Sequence, residues 1–249
     1  MKCLYKKYAK YYDLIYAKKN YAKETKFLEQ LIKKHKITGK DILEVGCGTG
    51  SHAMFLKKKG FKVTGIDLGK EMIAVAKKKD PSGDWRVGNM QRFRLSEQYD
   101  IVICLFSVMH YNLGYPALKK TLANFHTHLK RGGLLIFDMG FNEERFDPKG
   151  RVFIDVRKGK EFGLNADLVR YNRSRKQGSK CLIDMGYMIY KNNKFEFASE
   201  QHQLYIFETI KVKKLAEQLG FQVDIYHKYL MEKWKKTSKG YAVFAALKK

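Results

Sequence analysis

Between residues 41 and 138, short apolar runs alternate with stretches in which apolar residues recur every three or four positions. Short apolar runs are typical of buried strands, and the longer period is typical of helices with one buried face. Strands that alternate with helices form a parallel sheet covered on both faces, so this region is predicted to be α/β and doubly wound. The predicted strands are Ile42–Val45, Lys62–Asp67, Trp85–Val87, Ile101–Leu105 and Leu134–Asp138, and the predicted helices are Ser51–Lys59, Lys70–Lys79 and Leu118–Leu129.

The pattern changes on both sides of this region. Tyr5–Lys36 has apolar and aromatic residues at helical spacing and is predicted to be one helix. After residue 138, consecutive strand-like stretches joined by short polar turns predict an antiparallel sheet. These stretches are Val152–Val156, Leu168–Arg173, Leu182–Tyr190 and Phe195–Phe207, and they are followed by a helix at Val212–Leu219 and two strands at Phe221–Tyr226 and Tyr241–Leu247.

We therefore predict a mostly parallel, seven-stranded, Rossmann-like sheet with an inserted antiparallel β layer. The core comprises residues 1–140 and 208–249, within which residues 1–36 are a helical segment. The insertion comprises residues 141–207. Because ligands bind at the carboxyl edge of such sheets, the inserted layer is expected to form a roof over a substrate pocket.

The charge of the chain changes this picture only in part. The formal net charge is +25, and lysine and arginine side chains neutralise nucleic-acid phosphates. Lysine far outnumbers arginine, however, and lies in runs at predicted helix ends, where cations suit the helix dipole. A solvated basic surface is therefore favoured over a nucleic-acid interface, and an anionic small-molecule partner fits the charge.

The composition disfavours several other classes of protein. Four widely spaced cysteines form no C-x-x-C pair and the histidines form no cluster, so neither a disulfide framework nor a metal site is predicted. No apolar run approaches the roughly 18–20 residues that span a bilayer, and the basic N-terminus lacks the apolar core of a signal peptide. A soluble, cytoplasmic protein without membrane contact is expected.

A glycine-rich turn follows the first predicted strand. The stretch from Gly46 to Gly50 has the spacing G-x-G-x-G rather than the G-x-G-x-x-G of the dinucleotide fingerprint. Glycine allows positive φ angles and lets a ligand approach the backbone where a Cβ atom would collide. The second strand ends at Asp67, whose carboxylate can accept hydrogen bonds from ribose hydroxyls or cap the following helix. Asn89 follows the third strand and can meet a heteroaromatic edge or serve as a turn residue.

Five ordered segments between Asp41 and Asp138 resemble the motifs of class I S-adenosylmethionine-dependent methyltransferases: DILEVGCGTG, VTGIDLGKEMIAVAKKK, GNMQRFRL, YDIVICLFSVMHY and LKRGGLLIFDM. The resemblance implies S-adenosyl-L-methionine as cofactor and S-adenosyl-L-homocysteine as product. The implied contacts follow the cofactor from methionine through ribose to adenine: Gly46, Gly48 and Gly50; Asp67; Leu68 and Met72; and Asn89 and Met90 at the adenine edge. Glu44 and Cys47 of the first segment and Leu105 of the fourth complete the implied cofactor-binding set.

The flanking segments narrow the resemblance to one group of small-molecule enzymes. YAKYYDLIYAKKNYAKE, FSVMHY and SEQHQLYIFETIKVKKLAEQLGF are similar to amino-sugar N,N-dimethyltransferases and, more distantly, to glycine N-methyltransferase. In that group tyrosines of an N-terminal helix close over the cofactor, which implies that residues 1–36 form a lid carrying Tyr12 and Tyr16. Aromatic residues at helical spacing are otherwise more often part of a core.

Methyl transfer from a sulfonium is an in-line displacement, so the protein must align the nucleophile, exclude water and keep an amine unprotonated. His110 and Tyr111 follow the fourth strand at the ligand edge, and His110 can accept a proton or pack as a structural residue. His202 shares a strand face with Glu200, and the related enzymes commonly carry a histidine there. We predict His110, Tyr111 and His202 as catalytic residues and interpret Glu200 as a solvated cross-strand residue.

The leading hypothesis is a methyltransferase that modifies a small molecule at nitrogen, such as an amino sugar or a nucleotide-linked sugar. An RNA or protein methyltransferase would need a basic groove, and the same basic residues could instead bind nucleotide phosphates; the local candidates are Arg170, Arg173, Arg175 and Lys176. A non-catalytic cofactor-binding protein and a nicotinamide dehydrogenase rank below these, the latter because of the glycine spacing. The inserted sheet could also serve as the interface of a homodimer.

Overall fold

The computed structural model describes residues 4–141, 150–162, 165–238 and 240–249. Residues 1–3 of the predicted N-terminal segment, and residues 142–149 and 163–164 of the predicted insertion, lie outside these ranges. The α-helices are α1 Tyr12–Ile15, α2 Tyr21–Lys34, α3 Ser51–Lys57, α4 Lys70–Lys79, α5 Tyr115–His128 and α6 Thr209–Gln218. Within the described residues, no helix is long and apolar enough to cross a bilayer. The strands are β1 Asp41–Val45, β2 Lys62–Asp67, β3 Asp84–Val87, β4 Tyr99–Cys104, β5 Leu129–Met139, β6 Arg151–Arg157, β7 Asp167–Gln177, β8 Lys180–Lys191, β9 Lys194–Tyr205, β10 Phe221–His227 and β11 Ala242–Lys248.

Seven strands form the larger sheet in the order β10-β11-β5-β4-β1-β2-β3. Strands β1 to β5 pair in parallel, whereas β11 lies antiparallel between β5 and β10. The direction of chain progression reverses between β1 and β4, and a crevice opens at the carboxyl ends of strands where this happens. The predicted α/β fold, with a mostly parallel seven-stranded sheet, is confirmed.

Both faces of the larger sheet are buried because alternate residues of its strands point to opposite sides. In β5, Leu135 and Phe137 pack with α5 and α6, whereas Leu134 and Ile136 pack with α2, α3 and α4. These four side chains are fully buried. Burial of one such side chain contributes roughly 1.5–3 kcal/mol, so the central strands form a firm platform below the ligand edge.

The smaller sheet has the order β6-β7-β8-β9 and is antiparallel throughout. Strands β8 and β9 are joined at Asn192 and Asn193, whose φ angles of 52° and 58° form a tight hairpin turn. The inner face of this sheet packs against the N-terminal segment through residues that include Leu168 and Ile189. The predicted antiparallel layer is confirmed, and its outer limits along the chain stay a prediction.

The N-terminal region is not the single helix expected for Tyr5–Lys36. A 3₁₀ turn at Ala9–Tyr11 runs into α1, the chain bends, and α2 follows as a separate helix. The side chain of Asn20 accepts a hydrogen bond from Lys23 N at 2.8 Å and caps α2, so a new helix begins there. The prediction was wrong because aromatic residues at helical spacing also suit a bent segment that packs on two surfaces.

Candidate functional site

A cavity of about 690 Å³ lies between the carboxyl ends of the central strands, the N-terminal segment and the inner face of the smaller sheet. The larger sheet supplies its floor, and the smaller sheet supplies the opposite wall. The predicted site residues that line it are Tyr12, Tyr16, Gly46, Gly48, Asp67, Leu68, Met72, Asn89, Met90 and Tyr111. The fold therefore brings most of the predicted cofactor residues and one predicted catalytic residue to a single compartment.

The turn after β1 places bare backbone against this cavity. Gly46, Gly48 and Gly50 have φ angles of 74°, 57° and 77°, a left-handed conformation that residues with a Cβ atom rarely adopt. A Cβ atom on Gly48 would lie 3.4 Å from Met72 Cε and 3.9 Å from Tyr12 Cε1. Glycine at this position therefore keeps open a cleft between the two side chains, which a ligand can enter.

Asp67 joins the glycine turn to the start of α4. Its carboxylate accepts hydrogen bonds from Gly48 N at 2.9 Å and Gly69 N at 2.7 Å, and the side chain lines the cavity. Burial raises the pKa of Asp67, while the two backbone donors act in the opposite direction. Gly69 holds the N-cap position of α4, so Asp67 supports the helix start without being its cap. The carboxylate is fixed where it can accept hydrogen bonds from two neighbouring hydroxyls.

Apolar side chains and one amide border the cavity next to Asp67. Leu68 is 56% exposed and Met72 is 1% exposed, and both line this part of the cavity. Asn89 lies at the same end, where its side-chain oxygen accepts a hydrogen bond from Gln91 N at 2.9 Å. Asn89 therefore serves as a turn residue and also lines the cavity. An apolar slot with an amide at its edge suits a heteroaromatic ring.

Three tyrosines of the N-terminal segment, Tyr5, Tyr12 and Tyr16, form a tyrosine wall along the cavity. The ring centroids of Tyr12 and Tyr16 are 4.7 Å apart, and Tyr16 meets Phe106 edge-on at 4.9 Å. Burial raises the pKa of Tyr5 and of Tyr12, so both hydroxyls are neutral. The sequence did not single out Tyr5. The wall stands where the predicted lid would close.

A strained turn follows β4. Phe106 and Ser107 both have a φ angle of 63°, which is unusual for residues with side chains. The buried carboxylate of Asp138 holds this turn by accepting hydrogen bonds from Phe106 N, at 2.8 Å, and from Ser107 N. Tyr229 OH donates a further hydrogen bond to Asp138. This role of Asp138 was not predicted from the sequence. An acidic residue at the end of a buried strand was the signal that could have indicated it.

Hydrogen bonds connect Tyr5, Tyr111 and His202 on the side of the smaller sheet. Tyr111 OH lies 2.8 Å from Tyr5 OH and 2.6 Å from His202 Nδ1. His202 is buried behind Tyr111, and its Nε2 lies 3.2 Å from Glu200 Oε1. The interpretation of Glu200 as a solvated residue was wrong, because its side chain is 5% exposed and accepts a hydrogen bond from Tyr187 OH at 3.0 Å.

His110 has the structural role that the sequence left as an alternative. The residue is fully buried, its Nε2 accepts a hydrogen bond from Phe141 N at 3.1 Å, and its Nδ1 donates to Tyr205 O at 2.8 Å. Burial lowers the pKa of His110 to about 4, so the ring is neutral. Both ring nitrogens are engaged by the backbone, which favours the structural role of His110 over the predicted role as a catalytic proton acceptor.

The basic residues considered as one cluster do not form one surface, because successive strand residues point to opposite faces. Arg170 is 5% exposed, lines the cavity and donates a hydrogen bond to Asp155 Oδ2 at 2.5 Å. Arg175 is bonded to Asp184 on the other face of β7. The residues divided in this way are Arg170, Arg173, Arg175 and Lys176. Arg170 thus presents a buried positive charge to the cavity.

Residues 42–133 match a protein family described as "Methyltransferase domain". The chain is 25% identical over 219 residues to dTDP-3-amino-3,6-dideoxy-alpha-D-glucopyranose N,N-dimethyltransferase of Streptomyces fradiae, covering 87% of this chain and 84% of that protein. It is 26% identical over 222 residues to dTDP-3-amino-3,4,6-trideoxy-alpha-D-glucopyranose N,N-dimethyltransferase of Streptomyces venezuelae, covering 87% and 91%. The crystal structure of Streptomyces venezuelae DesVI is similar with a TM-score of 0.85 at 23% identity, covering 97% of this chain and 98% of that one. This chain is an S-adenosylmethionine-dependent methyltransferase.

The residues of the methyltransferase fit its cofactor. S-adenosylmethionine supplies an activated methyl group on a sulfonium when bound. The cleft that Gly48 keeps open has room for a chain that passes close to the backbone, and the fixed carboxylate of Asp67 matches a pair of ribose hydroxyls. The slot beside Leu68 and Met72 matches the adenine ring.

Four predicted cofactor residues of the methyltransferase lie outside the cavity: Glu44, Cys47, Gly50 and Leu105. Glu44 is buried, with its Oε1 3.5 Å from His52 Nδ1, and so faces α3. Gly50 closes the turn against Trp85, because a Cβ atom there would lie 2.5 Å from the indole Cη2. The other two residues pack in the core between the sheet and helices α2 to α4. These four residues therefore pack outside the cavity.

The cavity wall formed by the smaller sheet includes residues that the sequence did not single out. They lie on the inner face of the smaller sheet, at alternate positions of its strands: Arg151, Phe153, Asn172, Ser174 and Ile183. A period-two pattern identifies such a face as a whole. It does not identify which end of the face meets the cavity, since that depends on how the two sheets pack.

Proposed function

We propose that this methyltransferase transfers a methyl group from S-adenosylmethionine to the amine nitrogen of a nucleotide-linked amino sugar. The observation that carries the proposal is that one cavity has a backbone-lined end at the glycine turn and a side-chain-lined end below the smaller sheet. The first end fits the cofactor. The second presents Arg170 and Tyr111, which suits an acceptor with both an anionic group and an amine. Two similar proteins that align with 87% of this chain are dTDP-amino-sugar N,N-dimethyltransferases by name, which supports this acceptor.

At the cofactor end, the proposal assigns one task to each structural feature. The backbone of the glycine turn borders the methionine part, and Asp67 accepts hydrogen bonds from the ribose hydroxyls. The tyrosine wall covers the bound cofactor and excludes water, which would otherwise compete with the acceptor. The proposed cofactor-binding residues are Tyr12, Tyr16, Gly46, Gly48, Asp67, Leu68, Met72, Asn89 and Met90.

At the acceptor end, one buried donor and one buried acceptor are unpaired, and the donor, a guanidinium N–H, supports binding of an anionic group. Arg170 Nε and Asn172 Oδ1 are buried and have no hydrogen-bond partner among the described residues. A buried polar group without a partner is costly unless a ligand or water completes it. A phosphate oxygen is a strong acceptor for a guanidinium N–H, so we place the nucleotide phosphates beside Arg170. This leaves the sugar amine next to Tyr111.

The test combines the purified protein, S-adenosylmethionine and dTDP-3-amino-3,6-dideoxy-α-D-glucopyranose, with mass spectrometry of the nucleotide sugar. We expect products that carry one and then two added methyl groups. The matched control acceptor is the dTDP-sugar with a hydroxyl in place of the amine, which should stay unchanged. An unchanged amino sugar, in a protein that binds S-adenosylhomocysteine by calorimetric titration and ignores NADH, would contradict the acceptor and leave the cofactor in place.

We also propose that the outer face of the smaller sheet joins two copies of the chain. Ile154, Phe195 and Phe197 on this face are 66%, 58% and 72% exposed, and they lie on the two edge strands. Apolar patches of this kind mark interfaces, and two identical faces can cover each other around a two-fold axis. Light scattering after gel filtration should give the mass of two chains, and Phe197→Lys should reduce it to one. A single-chain mass for the unaltered protein would rule this interface out.

A further inference from the structure

A chain of polar side chains leads from the cavity into the interior of the smaller sheet. Tyr111 lines the cavity, and its hydroxyl lies 2.6 Å from His202 Nδ1. His202 is 1% exposed, and its Nε2 lies 3.2 Å from Glu200 Oε1. Tyr5 joins from the tyrosine wall, with its hydroxyl 2.8 Å from that of Tyr111. This series of side chains begins at the cavity with Tyr111 and ends at the carboxylate of Glu200, with the imidazole of His202 between them.

The direction of these hydrogen bonds follows from the carboxylate. Burial raises the pKa of Glu200, but its neighbours, with His202 first among them, outweigh burial and hold the pKa below its usual value. The ionised carboxylate only accepts, so the facing Nε2 of His202 carries the proton of the neutral ring. Nδ1 is then an acceptor, and Tyr111 OH donates to it. Tyr5 OH donates in turn to the oxygen of Tyr111.

The contact between His202 and Glu200 is incomplete while the ring is neutral. His202 Nε2 and Glu200 Oε2 have no aligned hydrogen-bond partner among the described residues, although Nε2 lies 3.2 Å from Oε1. Protonation of Nδ1 would place a full positive charge beside the carboxylate and strengthen this contact. The pair is therefore arranged to stabilise an imidazolium.

Several other groups face this series of polar side chains from the elements packed around it. Tyr187 OH of β8 and Leu4 N of the N-terminal segment both donate to Glu200 Oε1, at 3.0 and 3.1 Å. The residue opposite His202 on β8 is the apolar Ile183. The remaining titratable groups lie farther along the tyrosine wall and the cavity: Tyr12, Tyr16, Arg170 and Asp67. Glu200 is thus the charged group in contact with His202.

Resting on the proposed methylation of an amine, we infer that Tyr111, His202 and Glu200 form a proton relay that resets the acceptor between two methyl transfers. In the first transfer a C–N bond forms as a C–S bond breaks, and the product is an ammonium with no lone pair. The ammonium gives a proton to the oxygen of Tyr111 as Tyr111 passes its own proton to His202 Nδ1. The amine regains its lone pair, and the imidazolium rests beside Glu200 until it loses the proton to water on product release.

The two groups of the relay that exchange protons, Tyr111 and His202, suit their positions. Burial raises the pKa of Tyr111 well above its usual value, so this residue exchanges protons without holding a negative charge. An imidazole titrates near neutrality, and a neighbouring carboxylate favours its charged form. Tyr111 is the catalytic residue, because it faces the acceptor. His202 and Glu200 act through it.

His202→Gln tests the relay, because the glutamine oxygen can still accept from Tyr111 OH but cannot take a proton. With dTDP-3-amino-3,6-dideoxy-α-D-glucopyranose, we expect the first methyl transfer to stay within about threefold and the second to fall about 100-fold at neutral pH. Alkaline pH should restore the second transfer, because hydroxide then removes the proton. The KM for the acceptor should not change. His126→Gln, at a partly exposed position of α5, is the matched control and should behave as the unaltered enzyme.

Two activity results would overturn the relay. Equal slowing of both transfers at every pH would reduce His202 to a residue that only positions Tyr111. An unaltered enzyme that adds a single methyl group to the amino sugar would leave the relay without a second transfer to serve.

A measurement without acceptor separates the relay from the proposed function. Nuclear magnetic resonance of the ¹⁵N-histidine-labelled chain reports which ring nitrogen carries the proton, and His202→Gln identifies the signals of His202. We expect the ring to carry its proton on Nε2, which faces Glu200, and we expect Glu200→Gln to populate both tautomers, because an amide can donate as well as accept. The Nδ1–H form in the unaltered chain, or an unchanged tautomer in Glu200→Gln, would overturn the relay. With these signals as expected and no methylation of the amino sugar, the acceptor alone would be wrong and the relay would serve another amine.

Discussion

The two ends of the cavity are built from different parts of the chain. The proposed cofactor end is mostly backbone: the left-handed Gly46 and Gly48, and a carboxylate bonded to two backbone N–H groups. The acceptor end consists of side chains, including Tyr111, Arg170 and the buried pair His202 and Glu200. A backbone-lined site is damaged by adding atoms, whereas a side-chain-lined site is altered by removing them. The first is therefore suited to a constant ligand, and the second can change its specificity by single substitutions.

The largest effect is expected from adding one carbon at the cofactor end. A Cβ atom on Gly46 would lie 2.7 Å from Val108 Cγ1, so Gly46→Ala must shift the turn. Affinity for S-adenosylhomocysteine, measured by calorimetry, should fall more than about 100-fold, or roughly 2.7 kcal/mol. Gly132→Ala is the matched control, because Gly132 has a similar φ angle of 72° but no atom within 4 Å of the added carbon.

Both glycine variants should lose about 1–2 kcal/mol of unfolding free energy, because alanine disfavours a left-handed conformation. Denaturant unfolding measures this shared cost. The loss of cofactor affinity should appear in Gly46→Ala alone. Affinity within threefold of the unaltered protein would show that the glycine turn is not the cofactor end.

The next effect is expected from removing a charge at the acceptor end. Arg170→Gln should raise the KM for the nucleotide-linked amino sugar about 30-fold, or roughly 2 kcal/mol, because a phosphate loses its guanidinium partner. Asp155 keeps Arg157 as an ion-pair partner at 2.8 Å, so the fold should be retained. Arg175→Gln, on the opposite face of β7, is the control and should leave the KM unchanged. Equal effects of the two variants would mean that net charge, rather than position, draws the acceptor.

Asp67→Ala should have a smaller effect at the cofactor end. We expect about tenfold weaker binding of S-adenosylhomocysteine, or roughly 1.4 kcal/mol, because the ribose hydroxyls lose their acceptor. The turn itself should persist through its glycines and its backbone hydrogen bonds to β2. Asp84→Ala, at the edge strand β3, serves as the control in the same titration. Unchanged affinity in Asp67→Ala would remove this carboxylate from the site.

The smallest expected effect concerns His110, which is fully buried outside the cavity lining and belongs to the scaffold. Its pKa is about 4 in the folded protein and about 6.5 in an unfolded chain. Below about pH 6.5 the unfolded state binds a proton that the folded state does not, so stability falls as the pH decreases. This group should contribute about 1 kcal/mol of loss between about pH 6.5 and 5.5.

Urea unfolding at a series of pH values measures this slope. His110→Gln should lack this part of the pH dependence, since glutamine does not titrate. A variant with the same slope as the unaltered protein would show that His110 is not held neutral. A catalytic His110 would instead change the pH profile of methyl transfer.

The cofactor end could be predicted from the sequence because its parts are close along the chain. The glycine turn and Asp67 lie within one strand–helix–strand unit, and local patterns predict such units well. The acceptor end depends on which face of the smaller sheet meets the larger one, and no local pattern contains that information. Tyr5 and Arg170 meet only through tertiary packing, and the burial of Glu200 follows from contacts with the N-terminal segment.

The same limit explains the other differences between the sequence predictions and the structure. The apolar surroundings of His110 belong to distant elements, so its neutral state could not be read from its neighbours in sequence. Glu44 lies at the end of β1, where strand alternation directs it to the rear face of the sheet, and Cys47 lies within the glycine turn but packs in the core on that same side. The bend before α2 had a local signal in Asn20, a good helix cap, which the aromatic periodicity of the segment outweighed.

The contacts of the N-terminal segment with the rest of the chain also set an order of folding. Leu4 N and its partner Glu200 are 196 positions apart, and the hydroxyl partners Tyr5 and Tyr111 are 106 positions apart. Contacts of such separation close long loops and form slowly, whereas β1, α3 and β2 adjoin one another along the chain. We therefore expect the parallel strands of the larger sheet, β1 to β5, to reach their native pairing while the compartment above them is still open. The chain then gains its enclosed reaction space in one late step rather than by degrees.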